Sequence, residues 1–105
     1  MKSESNGHAE FRVVPVATVK ADLRRFHEEL MAQGKGAAFL DVLKQIIARL
    51  QTDPHGFGET LYRLPALKLM IHQGVLIPIA VTYGIHDDLP LVVIRVVKLL
   101  SKPEA

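Results

Sequence analysis

Residues 61–100 read LYRLPALKLMIHQGVLIPIAVTYGIHDDLPLVVIRVVKLL, and the reading of this stretch decides the fold. It holds three apolar, β-branched segments, Leu67 to His72, Val75 to Ile85 and Leu91 to Leu100, separated by Gln73-Gly74 and by His86-Asp87-Asp88-Leu89-Pro90. Both separators carry turn-forming residues, so the segments are expected to run as consecutive antiparallel strands. In the first, Leu67, Leu69 and Ile71 fall on one face and Lys68, Met70 and His72 on the other, which predicts one face for the core and one available for work. In the second, Val75, Ile77, Ile79, Val81 and Tyr83 share a face opposite Leu76, Pro78, Ala80, Thr82 and Gly84. The third is apolar on both sides apart from Arg95 and Lys98, as expected of a strand covered on both faces or paired with another subunit.

Working outward, Glu59 to Leu64 enters this meander either as a short strand of its own or as a lead-in bent at Pro65. Before it, Thr52-Asp53-Pro54-His55-Gly56 is a cluster of helix breakers. Phe39, Leu43, Ile46, Ile47 and Leu50 form one apolar stripe and predict a helix over about 37–51. Gly34-Lys35-Gly36 lacks the spacing of a phosphate-binding loop and reads as a corner between helices. An earlier helix, about 18–33, follows from Val19, Leu23, Phe26, His27, Leu30 and Met31, with Thr18 as its N-cap. Arg24/Glu28 and Arg25/Glu29 are four residues apart and suit a solvated face with weak ion pairs. Phe11 to Ala17 is a short β-branched run interrupted by Pro15, hence an edge strand or one that ends near that proline. Residues 1–9 are small and polar and are expected to form a frayed tail. The expected fold is therefore α+β: β-α-α-β-β-β, a helix hairpin packed on a twisted antiparallel sheet, with residues 10–105 as one domain.

With 105 residues, one core of two layers is the natural size. Thirteen basic and eleven acidic residues give a net charge of +2, shared evenly by the two halves, and that balance does not point to a nucleic-acid binder. The absence of cysteine removes thiolate catalysis and Cys-based zinc sites and fits a reducing compartment. No basic start followed by an apolar run marks a signal peptide, and the apolar segments have strand length, so a cytoplasmic protein without a membrane segment is expected.

The five histidines, His8, His27, His55, His72 and His86, are scattered and form no His-x-x-x-His or Glu-x-x-His pair, so neither a metal nor any other cofactor is expected. Ser3, Ser5 and Ser101 lie near the termini, leaving a serine triad without an ordered nucleophile. The polar residues that remain on or near the sheet are Arg63, Lys68, His72, Tyr83, Arg95 and Lys98. Cations, an imidazole and a phenol on one sheet could hold a phosphodiester, although isolated cations on strands are more often solvent-facing and Tyr83, on the Val81 face, more often core.

The order Leu50-Gln51-Thr52-Asp53-Pro54-His55-Gly56, Leu61-Tyr62-Arg63-Leu64, the strand to His72, Val81-Thr82-Tyr83-Gly84-Ile85 and Val92-Val93-Ile94-Arg95-Val96-Val97 resembles the RelE/ParE toxin superfamily. The resemblance covers nearly the whole ordered chain. It implies a bacterial toxin-like fold neutralised by an antitoxin protein, acting either on messenger RNA at the ribosome or on DNA gyrase. The resemblance puts Lys68 and His72 on the strand where the nucleases carry basic residues, matches Tyr83 to the tyrosine that closes the next strand and sets Lys98 near the basic residues after the last one. For an mRNA endonuclease, the cations and ring groups of the meander itself then give His72 for proton transfer, Lys68 and Arg63 as phosphate clamps, and Lys98, Tyr83 and Arg95 in RNA binding. Three residues before Tyr83 the nuclease pattern carries an arginine that stabilises the transition-state phosphate, and this chain has Ala80. Losing one such donor typically costs about a hundredfold or more. The expectation is a toxin-like protein that is weak or inactive as a nuclease, or else a non-catalytic protein-binding module. The doubly apolar strand 91–100 adds the expectation of an antitoxin or a homodimer partner on the sheet.

Overall fold

The computed structural model describes residues 10–100; the expected tail, 1–9, lies outside them. Its elements run β1 (Arg12–Pro15), α1 (Ala17–Ala32), α2 (Gly36–Thr52), the single turn α3 (Pro54–Phe57), β2 (Glu59–Leu64), a 3-10 turn at Pro65–Leu67, β3 (Leu69–Leu76), β4 (Ile79–His86) and β5 (Leu91–Leu99). The class is α+β, as the sequence indicates. Among the described residues the sheet has five strands, in the order β1-β5-β4-β3-β2. It is mixed rather than wholly antiparallel, because β1 pairs parallel with β5 while the other three pairings are antiparallel. Among the described residues, no helix is long and apolar enough to cross a membrane.

The helices follow their apolar stripes. Phe39, Ile46 and Leu50 of α2 and Val19 of α1 are buried, and Leu23, Phe26, Leu30, Leu43 and Ile47 pack against them. Met31, counted in the α1 stripe, is 59% exposed instead. Helix α1 begins before Thr18, with Val16 at the N-cap and no side-chain cap. Its start is fixed by the sheet, since Val16 N donates to Ile94 O (3.1 Å), carrying the β1–β5 pairing up to the helix. At the corner, Gly34 adopts a left-handed φ of 75°, which costs glycine least. Of the expected helix-face ion pairs, Arg25–Glu29 is present at 4.0 Å and is joined by Arg25–Asp22 at 3.2 Å.

Both helices lie on one side of the sheet, over Ile79, Val81, Tyr83 and Ile85 of β4 and Val92, Ile94 and Val97 of β5. The step from Ile94 to Val97 spans three residues because the β4–β5 register shifts between Thr82 and Tyr83. Strand β5 is thus apolar because it is an inner strand with helices over one face.

Two sequence expectations for the meander are corrected. Gln73-Gly74 is not a turn: both residues lie inside β3, and the β3–β4 turn is Ile77-Pro78, joined by a cis peptide bond. Gly74 is small for a packing reason, since a Cβ there would overlap the Phe57 ring. The first strand starts at Leu69 rather than Leu67. Residues 65–67 make a 3-10 turn, Lys68 ends it in the left-handed region (φ 56°), and Leu67 is 50% exposed.

The face away from the helices carries Ile71 beside Gly84 and Val93, Gln73 beside Thr82 and Val96, and Val75 beside Ala80 and Lys98. Leu69 and Ile71 are buried there (4% and 0% exposed). They fill the notch at Gly84, where a Cβ would come within 2.9 Å of Leu69 and 3.1 Å of Ile71.

Gly74→Ala is expected to destabilise the fold by about 1–3 kcal/mol, the cost of overpacking a filled site, with a reduced penalty in Gly74→Ala/Phe57→Leu. Urea unfolding of the three chains checks this; an unchanged midpoint in the single variant would contradict the packing.

Candidate functional site

A cleft of about 350 Å³ opens on the helix side of the sheet, lined by His55, Thr60, Arg63, Met70, His72, Ile85, His86 and Asp87. A kink in β2 gives it shape. The β2–β3 register shifts between Thr60 and Tyr62, so Thr60 and Arg63, three residues apart, both face the cleft, while Leu61 and Tyr62 are about half exposed (47% and 53%). Strict alternation would have separated Thr60 from Arg63.

His72 forms the floor. It was expected on a working face opposite the core, yet it is 3% exposed. Its ring stacks on Tyr83 at 5.5 Å between centroids and 18° between planes, and His55 meets its edge at 6.1 Å. Both ring nitrogens are engaged: Nδ1 lies 3.2 Å from Met70 O and Nε2 lies 3.1 Å from Thr60 Oγ1. A carbonyl oxygen only accepts, so Nδ1 carries a proton and donates, leaving Nε2 to the Thr60 hydroxyl.

Tyr83, below His72, is fully buried. Its Oη donates to Pro54 O at 2.6 Å. Burial pushes its pKa up to about 12, against smaller lowering effects from a Gly58 backbone hydrogen bond and the Arg49 charge. The phenol is therefore a neutral donor that holds α3 to the sheet. Asp53 completes that attachment: its N–H closes α2 on Arg49 O (2.7 Å) and its carboxylate accepts from Gly56 N (3.1 Å) at the start of α3.

The cations at this end of the sheet already have acidic partners. Arg63 is paired with Asp87, and Lys68 with Asp88 at 3.2 Å. Asp87 N also donates to Lys68 O (2.8 Å), so the turn after β4 is clamped to the start of β3. His86 belongs to the same turn, its Nδ1 accepting from the N–H groups of Asp88 (3.0 Å) and Leu89 (3.1 Å). Exposed pairs of this kind add little stability. They do mean that an incoming phosphate would compete with a carboxylate for each cation.

The six residues singled out in the sequence do not converge. Arg63 and His72 line the cleft, Tyr83 is buried behind His72, and Lys68 sits at the sheet end against Asp88. Lys98 stands beside Ala80 on the opposite face, and Arg95 lies at the register shift of β5. An arginine in place of Ala80 would therefore start from the face opposite His72. His55, Thr60, His86 and Asp87 were missed as a group. The breaker cluster holding His55 was visible, but its docking by Tyr83 and the kink that turns Thr60 inward leave no periodic signal.

A second hollow of about 340 Å³ lies between α2 and the β3 end, lined by Gln45, Ala48, Arg49, Thr52, Phe57 and Leu76, with the Arg49 guanidinium 5.3 Å from the Phe57 ring centre. Among the described residues, no group of three or more His, Asp or Glu side chains is placed to hold a metal ion. No family model matches the chain, and no curated protein matches it significantly.

Tyr83→Phe is expected to cost about 1–3 kcal/mol, because it strips a buried carbonyl of its donor. An unfolded chain releases the phenolic proton near 10.0, whereas the folded one holds it to about 12. This contribution to stability is therefore complete below pH 10 and lost as pH rises through 12. Stability curves for both chains across that range test it: the gap between them should narrow at high pH, and a constant gap would contradict the neutral-donor role.

Proposed function

We propose that this chain is a toxin-like protein of the RelE/ParE type, the partner of an antitoxin protein, and that it acts by binding rather than by efficient cleavage of messenger RNA. The reading starts from the sequence resemblance and is supported by a helix hairpin packed on one face of the sheet. The observation that carries the non-catalytic part is the occupation of the would-be catalytic groups. Arg63 and Lys68 are held by Asp87 and Asp88, and both nitrogens of His72 are engaged. A phosphoryl-transfer site needs donors aimed at the developing charge and a proton acceptor within reach of the nucleophile. Here the donors are partly neutralised and the imidazole is packed beneath the cleft.

A protein target, DNA gyrase or another, is the form of this reading favoured by the exposed valines on the sheet face away from the helices. Val75 and Val96 are exposed there at 50% and 42%, and exposed apolar side chains suit a protein more than a polyanion.

Expression in a bacterial host, with primer extension on translating ribosomes, tests the proposal. Growth arrest with intact messenger RNA is the expected result, unchanged in Lys68→Ala and relieved by a co-expressed neighbouring antitoxin-like chain. Strong cleavage that disappears in both Lys68→Ala and His72→Ala would contradict it.

A further inference from the structure

We infer that β2 is a pairing edge, and that two copies of this chain associate by antiparallel β2–β2 contact into one continuous sheet. The two edges of the sheet are built differently. Strand β1 has four residues and ends in Pro15, and its start is tied down by Phe11 N donating to Gln51 O (2.8 Å) and Arg12 N to Pro90 O (2.8 Å). Such an edge is short and blunted. Strand β2 has six residues, the first five of them exposed, with neither proline nor lysine among them. Among the described residues its outer backbone groups lie at the end of the strand order, where another strand can add.

The sequence of β2 selects a second copy as the occupant. The kink places Thr60 and Arg63 on the helix side and leaves Leu61 and Tyr62 exposed. In an antiparallel self-pairing about a two-fold axis between Leu61 and Tyr62, Leu61 opposes Tyr62 of the second copy, Thr60 opposes Arg63, and Glu59 opposes Leu64. Thr60 and Arg63 then pair on the helix side, Glu59 and Leu64 on the other, and the half-exposed Leu61 and Tyr62 meet at the axis. A shift of one residue sets helix-side Thr60 against outward Tyr62 or Leu64, so the register is determined. Charges agree with this choice: β2 carries one acid and one base, neither meets its like, and a net charge of +2 gives two copies little long-range repulsion. The centre of the contact is an apolar cluster of two leucines and two tyrosines, pairs of the kind that stabilise neighbouring strands. A contact of this extent belongs to the small, concentration-dependent class of interfaces.

The inference stands apart from the toxin-like reading, and its test reads association alone. The natural chain has no cysteine, so a single introduced thiol reports proximity cleanly. The two copies of Leu61 lie diagonally across the axis, within the separation of about 4.4–6.8 Å between Cα atoms that a disulfide spans. Leu61→Cys under mild oxidation is expected to run as a covalent dimer, whereas Val75→Cys, equally exposed but on β3, stays a monomer. Light scattering of the natural chain should show dimer growing with concentration. Leu61→Lys, which sets two cations together at the centre, should remain monomeric with an unchanged circular dichroism spectrum. A natural chain that is monomeric at about 1 mM, equal cross-linking of the two cysteine variants, or dimerisation retained in Leu61→Lys would each overturn the inference.

Discussion

The hydrogen bond from Tyr83 to the Pro54 carbonyl is the contact on which this end of the molecule depends. It is buried, it is 2.6 Å long, and it joins the middle of an inner strand to a four-residue helical turn that has little means of staying folded alone. With α3 anchored, Phe57 lies over Gly74 and 6.1 Å from the Tyr83 ring. His55 is likewise brought between Phe11 and His72, with ring centres 6.0 and 6.1 Å away. The cleft wall, the strand glycine and the placement of His72 all follow from one phenol being protonated and out of water.

Much of the architecture was legible because periodicity and burial coincide in the helices. The stripes of α1 and α2 predicted both within a residue or two, and Pro15 marked the end of an edge strand. The sheet was less legible, for two physical reasons. A glycine that makes room for a ring has the same signature as one that makes a turn, so the sequence at Gly74 looks like a corner and the true turn at Ile77-Pro78 looks like strand. Register shifts in β2 and β5 also break the two-residue period, which makes Thr60 and Arg63, or Ile94 and Val97, share a face that alternation assigns to different sides.

The same effects separate the candidate site from its sequence forecast. Lys68, His72, Arg63, Arg95, Lys98 and Tyr83 group in the sequence because they are polar and lie on or near one meander, but a sheet has two faces and an end. His72 and Tyr83 point into the helix-side layer, Lys98 stands on the other face, and Lys68 ends a 3-10 turn. Asp87 and Asp88, which the sequence places in a turn, are the residues that hold the cations. What is left is a cleft with imidazoles and a hydroxyl arranged around an ion pair, more a braced joint than a site with spare charge.

The central claim is that His72 is fixed as a structural donor, its Nδ1 proton given to Met70 O and its Nε2 occupied by Thr60. Nitrogen-detected NMR of the 15N-labelled imidazoles measures this directly. The account predicts a His72 proton on Nδ1, slow to exchange with solvent and correlated with the Met70 carbonyl. A His72 ring with an unprotonated Nδ1 and a freely exchanging proton on Nε2 would contradict it and return this residue to the list of groups able to move a proton.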